Sequence, residues 1–373
     1  MKITFQYIIR FPLTMLYGLA VAIRNWLYDS DIFKSESFNI PIISVGNLAV
    51  GGTGKTPHTE FIISFLRNSY KTALLSRGYK RTTKGFRLAD ETSDSRIIGD
   101  EPFQLYRKFS DLTVAVDENR VNGVKQLLEA VPDLGVIVLD DAFQHRAIQP
   151  GISILLTDYS NLYSRDHLLP GGFLRENKNG SKRADIIIVT KCPSELHAID
   201  MRIIETELKI RTNQYLFFSS VDYNHLLPVF KPNTNSNMSL EELKNAQVGV
   251  VLMSGIASPL PMYLEIKKYT TMLKTIYFED HHAFQPEDFY KLQNVFDKLT
   301  TETKMVIVTE KDAARLVTCS NYPEILKSST YYLPIKIKIL QNQEHIFIQK
   351  ITAYVNENSR NCRLFTSTPK TQS

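Results

Sequence analysis

The 373-residue chain holds only three cysteines and one tryptophan. Cys192, Cys319 and Cys362 lie far apart, with no Cys-x-x-Cys and no ligand spacing. That pattern argues against a disulfide framework and a zinc site, and fits a reducing compartment. No apolar run reaches the ~18 residues that mark a membrane-spanning helix. There is no internal repeat, and no basic stripe with interleaved aromatics, which argues against nucleic-acid binding. The net charge of +5 is mild. It suits phosphates or anionic lipid and singles out neither. What remains is an ordinary globular composition, long enough for about two domains.

One stretch organises the rest. Ile40 to Val45 is apolar and β-branched, and reads as a buried strand. Gly51, Gly52, Thr53 and Gly54 make a glycine-rich turn, followed by Lys55, Thr56 and a helix expected from Pro57. Such a loop lets backbone N–H groups and a helix N-terminus converge on phosphate oxygens. Lys55 would reach the β- and γ-phosphates of ATP, and the Thr56 hydroxyl would hold Mg²⁺. The strict G-x-x-x-x-G-K-[ST] pattern has glycine where this chain has Ala49, so the match is to the tighter G-G-x-G-K-T variant.

Ahead of this loop, Phe11 to Ile23 is mostly apolar, with Arg10 and Arg24 at its edges. As a helix it would rise only ~20 Å, short of a ~30 Å hydrocarbon core. A signal peptide fits Lys2 and Arg10, but an ATP site just downstream speaks against export. Two readings stand: an amphipathic helix in the membrane interface, with Tyr17, Trp26 and Tyr28 near its ends, or a helix packed on the core. The interfacial reading is preferred, over residues 1–28.

Beyond the loop, short apolar strands are expected at Thr72 to Ser76, Leu112 to Val116, Val136 to Leu139, Ile152 to Thr157 and Ile186 to Thr190. They alternate with helices, which predicts a parallel sheet covered on both faces. The fold class is therefore α/β, of the P-loop NTPase type, over residues 29–225. Pro228, Pro232 and Asn-Thr-Asn-Ser-Asn suggest a linker over 226–245. A smaller α/β domain is expected over 246–355, with strands at Val248 to Met253, Met305 to Thr309 and Tyr331 to Ile335. The polar tail 356–373 is expected to be disordered.

Charged residues gather at the strand ends, where ligands of such sheets bind. Asp140 and Asp141 follow an apolar strand, as the Mg²⁺-binding acid of an NTPase does. His145 could orient them or lie on a surface turn. Asp100 and Glu101 precede a helix, and read equally as a cap or as catalytic carboxylates. Asp280-His281-His282 pairs histidine with acid, which suits a general base. Glu310-Lys311-Asp312 ends another strand. Leu168 to Glu176 is a turn-rich loop whose exposed apolar residues suit a partly greasy substrate.

Together these motifs resemble the tetraacyldisaccharide 4′-kinase family. The matching runs are 44–56, Ser-Arg-Gly-Tyr (76–79), Gly-Asp-Glu-Pro (99–102), Asp-Asp-Ala-Phe-Gln-His (140–145), Leu-Pro-Gly-Gly-Phe-Leu-Arg-Glu (169–176), Phe-Glu-Asp-His-His (278–282) and Thr-Glu-Lys-Asp-Ala (309–313). The resemblance implies a peripheral enzyme on the cytoplasmic face of the bacterial inner membrane. It would move the ATP γ-phosphate to the 4′-hydroxyl of a lipid A disaccharide 1-phosphate, as a monomer using ATP and Mg²⁺. It implies that Asp100 and His281 form the base, and that Asp140 and Asp141 with Thr56 hold metal and nucleotide. Glu101, Arg120, His145 and Glu176 would line the site, contacting substrate or phosphate, with Arg120 a candidate to stabilise charge on the transferring phosphoryl group. The alternatives are a soluble P-loop small-molecule kinase or ligase, and a nucleotide-dependent switch.

Overall fold

The computed structural model describes residues 2–223, 225–230, 237–280 and 282–366, with side chains described between Phe11 and Asn358. Eight strands in order belong to a first sheet: β1 (Ile42–Asn47), β2 (Thr72–Ser76), β3 (Arg87–Leu88), β4 (Thr113–Val116), β5 (Val136–Asp140), β6 (Ile152–Asp158), β7 (Ile186–Thr190) and β8 (Tyr215–Tyr223). The next five build a second sheet: β9 (Leu227–Pro228), β10 (Gly249–Ser254), β11 (Leu273–Tyr277), β12 (Lys304–Thr309) and β13 (Thr330–Leu333). The chain then returns, and β14 (Ile335–Ile339) closes the far edge of the first sheet.

The first sheet runs β14-β8-β7-β6-β1-β5-β2-β4-β3, and the second runs β11-β10-β12-β13-β9. β1 lies between β5 and β6, parallel to both. Every residue of β1, β2, β5 and β7 is buried. That is why these strands read as unbroken apolar runs: a parallel sheet covered on both faces has no polar side to alternate with. Among the described strands, antiparallel pairing is confined to the margins, in β3 with β4, β14 with β8 and β9 with β13. The sheet is thus mixed and mostly parallel, as an α/β fold of this type requires.

Three boundaries differ from the sequence reading. The single strand expected at Tyr331 to Ile335 is two strands in two sheets, because Pro334 cannot donate to a ladder and interrupts it. The second unit consequently ends near Leu333 rather than at 355. The tail expected to be disordered from 356 is helical to Thr366, within the helix Glu344–Thr366; residues 367–373 lie outside the described residues. Its buried stripe of Phe347, Ile351 and Val355 packs into the first core, and the Asn356 side chain accepts a bond from the Tyr70 hydroxyl. The expected linker is flanked by structure on both sides, with 231–236 outside the described residues. Leu226, Leu240 and Leu243 are core residues of the second unit, so its ends cannot swing free.

The first 28 residues hold a feature of both readings considered above. The helix Lys2–Asp29 docks one face on the core. The Tyr17 hydroxyl donates to the Arg175 carbonyl at 2.6 Å, Arg24 to the Gln144 carbonyl at 2.8 Å and Asn25 to Glu176 at 3.2 Å. Its other face leaves Leu13, Met15, Leu16, Leu19 and Trp26 more than half exposed. No helix among the described residues is long and apolar enough to cross a membrane.

Candidate active site

β1 delivers the chain into the glycine loop at its carboxyl end, and the helix Lys55–Leu66 leaves it, starting two residues before the expected Pro57. Gly51 and Gly54 have φ of 115° and 84°, values that residues with a Cβ rarely adopt. The loop is tied from behind. Buried His58 bonds the Gly54 carbonyl through Nδ1 at 2.7 Å and the Ser219 hydroxyl through Nε2 at 2.8 Å. The Thr190 hydroxyl donates to the Thr53 carbonyl at 2.9 Å, and Asn47 to the Thr53 hydroxyl at 2.8 Å. Gly51 and Gly52 border open space, with nothing within 4 Å of where a Cβ would stand.

β5 carries Asp140 and Asp141 to the same edge. The Asp140 carboxylate is buried and accepts from the Thr59 hydroxyl at 3.1 Å. Burial first, then the charges of Glu101 and Asp141, pushes it well above the usual carboxylate range. Asp141 turns the chain in the left-handed region, φ 47°. Its carboxylate lies 3.8 Å from the Lys55 ammonium and 3.0 Å from the Arg175 guanidinium. Burial would raise this carboxyl too, but Lys55 and Arg175 outweigh it and hold it low.

This donor set fits a nucleotide and a divalent cation. A buried Asp140 crowded by Glu101 and Asp141 is costly unless a cation compensates it. Among the described residues no cluster of three His, Cys, Asp or Glu could alone hold a metal. That suits Mg²⁺, which takes one or two carboxylates and completes its shell from phosphates and water.

The other expected site residues divide. Asp100 and Glu101 open the helix Asp100–Lys108. Gly99 occupies the cap position there, so Asp100 is not a cap, and Asp94 caps the short helix before it. Asp100 is bound by Arg315 of the second unit at 2.6 and 3.0 Å, and Glu101 lies 4.0 Å from Lys311. His281 lies outside the described residues. Its neighbour His282 is committed to the cap of the helix Pro286–Asp297: its ring stacks on Phe278 and bonds Asp288 at 2.7 Å.

Arg120 and Glu176 hold structural posts that the sequence reading did not assign them. Arg120 is 2% exposed, and donates to the backbone carbonyls of Asp117 at 2.6 Å and Asp140 at 3.0 Å. It braces the ends of β4 and β5. Burial lowers its guanidinium to about 10 against the opposing pull of Asp140 and Asp141, so it remains charged at neutral pH. Glu176 is 2% exposed and is saturated by Arg183, Gln144 and Asn25. A carboxylate so fully bonded joins the amino-terminal helix to the core. His145, lowered to about 4 by burial and then by Arg120 and Arg77, is neutral at physiological pH. With Arg24, Arg120 and Arg146 it borders a cavity of about 370 Å³ under the amino-terminal helix.

Arg175 and Arg315 were missed as site residues. Arg175 stood in the Leu-Pro-Gly-Gly-Phe-Leu-Arg-Glu run beside Glu176, but its pairing with Asp141 crosses 34 positions. Arg315 lies 215 positions from Asp100, and no local pattern announces it.

Residues 7–355 match the family model described as tetraacyldisaccharide-1-P 4′-kinase. The tetraacyldisaccharide 4′-kinase of Bacteroides thetaiotaomicron is 48% identical over 359 residues, covering 94% of each chain. That of Flavobacterium johnsoniae is 44% identical over 350 residues, covering 94% of this chain and 97% of its own. The crystal structure of LpxK from Aquifex aeolicus in complex with ATP superposes with a TM-score of 0.72 at 25% identity, over 94% of this chain and 99% of that one. The chain belongs to the tetraacyldisaccharide-1-P 4′-kinase family.

Proposed function

We propose that this protein is an ATP-dependent kinase that phosphorylates the 4′-hydroxyl of tetraacyldisaccharide 1-phosphate. The observation that carries this reading is the chain of contacts Lys55–Asp141–Arg175 at the mouth of a glycine loop. It gathers two cations and an acid where a triphosphate must lie. The loop amides and Lys55 bind the phosphates. Thr56, Asp140 and Asp141 would hold Mg²⁺, which when bound neutralises charge on the phosphates.

Asp100 takes the proton from the 4′-hydroxyl, supported by His281, as that oxygen bonds to the γ-phosphorus and the bond to the ADP oxygen breaks. Phosphoryl transfer asks little covalent chemistry of the protein, so positioning and charge dominate. Glu101 sits beside Asp100 at the acceptor side. The cavity bordered by Arg24, Arg120 and Arg146, with Glu118 the one acid beside them, is net positive and suits the phosphate already present at the other end of the acceptor. The exposed apolar face of the amino-terminal helix lies in the membrane interface, on the side where ATP is available. The enzyme acts as a peripheral protein of the cytoplasmic face, and as a monomer.

The test is transfer of labelled phosphate from ATP to purified tetraacyldisaccharide 1-phosphate in mixed micelles. The intact protein transfers label to the 4′ position. Asp100→Asn lowers the rate by roughly 10²–10⁴-fold, the usual reach of general-base catalysis, with ATP binding retained. Unchanged transfer by that variant removes Asp100 from the role. Label passing only to a soluble sugar would place the chain among the small-molecule kinases.

A further inference from the structure

We infer that Arg315, carried on the second unit, is a positioning residue for Asp100, so that the docking of one sheet on the other sets the geometry of the base. This rests on the reading of Asp100 as the base. Arg315 lies in the helix Glu310–Leu316 with a side chain only 8% exposed. Its Nε and Nη2 both end on the Oδ2 of Asp100, at 3.0 and 2.6 Å. Its Nη1 is spent on its own unit, donating to Asp312 at 3.1 Å and to the Gly255 carbonyl at 3.2 Å. Asp312 is wholly buried and itself fixed, by the Thr309 hydroxyl at 2.7 Å and the Gly255 amide at 3.0 Å.

The guanidinium is therefore held at both ends. A planar fork in that state dictates the rotamer of the carboxylate it grips, which a flexible ammonium would not. It also favours the ionised form, the one able to take a proton. Two other ionic contacts join the same surfaces without touching Asp100. Lys108 bridges Glu60 at 2.7 Å and Glu310 at 2.5 Å, and Lys311 lies 3.4 Å from Asp280 and 4.0 Å from Glu101. Docking alone has these contacts to rely on. Arg315 adds the orientation of Asp100.

Among the described residues, the charged groups at this contact are Glu101 beside Asp100, Lys311, Asp312 and Arg315 on the facing helix, and Asp280 beyond Lys311; His281, the proposed partner of Asp100, lies outside the described residues. Removing Arg315 takes away a cation that grips Asp100 directly, which makes the ionised carboxylate harder to keep. In lipid phosphorylation, Arg315→Met is expected to lower kcat roughly hundredfold, the scale of a misplaced catalytic group. It is also expected to move the acid limb of the kcat–pH profile upward, with KM for ATP unchanged. Arg315→Lys keeps the charge and loses the fork; it recovers the acid limb and only part of kcat. Glu310→Gln weakens docking alone, and leaves the limb in place. Melting curves accompany each variant, and if Arg315→Met unfolds, the Lys variant carries the comparison by its reduced kcat. A folded Arg315→Met or Arg315→Lys with the wild-type kcat and acid limb overturns the inference. So does a Glu310→Gln variant that shifts the limb equally. If Asp100→Asn is inactive while Arg315→Met is normal, this inference alone falls. If Asp100→Asn remains active, the base reading falls first and takes this one with it.

Discussion

His58 shows how a phosphate loop is held from behind by a residue that never meets the phosphate. Its Nδ1 faces the Gly54 carbonyl, which can only accept, so Nδ1 carries the proton and Nε2 accepts from the Ser219 hydroxyl. Burial lowers the ring to about 4, so this neutral tautomer persists at physiological pH. Replacing His58 with Leu strands the buried Ser219 hydroxyl and takes one of two donors from the Gly54 carbonyl, which keeps the backbone amide of residue 58, at a cost of about 1–3 kcal/mol. We expect a lower midpoint in urea at pH 7.5 and weaker ATP binding from the loosened loop. The pH dependence has a definite sign. The unfolded ring takes a proton near 6.5 and the folded ring only near 4, so the unfolded state binds more protons between those values. The wild type therefore loses stability as pH falls from 6.5 to 4, and its advantage over His58→Leu narrows across that window. A constant gap would show a ring that is charged, or exposed, in the native state. At this scale the sequence was uneven. Lys55 and Asp141 were legible because a motif names them. The saturation of Glu176 was not, since Asn25 reaches it from 151 positions away. The Arg120 donation to the Asp140 carbonyl depended likewise on β4 and β5 lying near each other at the same sheet edge.

The amino-terminal helix is a distinct element because its two faces answer to different surroundings. Tyr17, Arg24 and Asn25 tie it to the loops that hold Arg175, Gln144 and Glu176, directly behind the Asp141 carboxylate. Leu16, Leu19 and Ile23 face outward at 64, 58 and 49% exposure, and Phe173 of the neighbouring loop is 57% exposed. Monomeric proteins rarely leave such a continuous apolar strip in water. Replacing Leu16, Leu19 and Ile23 with Gln should cost little folding stability, because their contacts are with solvent. It should move the protein from the membrane to the soluble fraction on flotation with anionic vesicles. Retention on the vesicles would assign the anchoring to another surface. Trimming the docked face with Asn25→Ala should do the opposite: membrane partition persists while the melting temperature falls. Periodicity showed the sequence which residues of this helix are apolar. It could not show which of them the core would claim, because Asn25 and Tyr17 find their partners only after β5 and the loop to Glu176 are in place. The strands were read more easily. Fully buried β2 and β7 matched the expected limits at both ends, whereas the alternating Ile335-Lys-Ile-Lys-Ile of β14 lies on a sheet edge with two exposed positions; only its Ile335 was joined to the expected strand from Tyr331, and the rest was not read as a strand.

The whole molecule is two sheets joined by charges, and its second unit is an insertion between β8 and β14 of the first. The helix Glu344–Thr366 returns to the first core, so both ends of the insertion are fixed to one sheet. Such an arrangement lets the second unit bring Lys311 and Arg315 to Glu101 and Asp100 while the glycine loop stays on the first. A structure closed over a kinase site excludes water and limits futile hydrolysis. At the seam, one ammonium, Lys108, serves two carboxylates, Glu60 and Glu310. Lys108 gains from this, and is held above its ordinary value in spite of its burial. Glu60 does not: burial first, and then the charge of Glu310, outweigh Lys108 and push it up to about 7. The native state thus binds a proton at Glu60 that the unfolded chain has released by pH 5 to 6. Stability contributed by this group is present below the ordinary carboxylate range, and is lost as pH rises through 7. Glu60→Gln abolishes that titration while keeping the shape of the side chain. The melting temperature of the variant relative to the wild type should therefore climb as pH is raised from 5 to 8. Above pH 8 the relative value should level off, because both native and unfolded Glu60 are then ionised. A gap that stays flat from 5 to 8 would mean that Lys108 neutralises both acids, and that the seam carries no uncompensated charge.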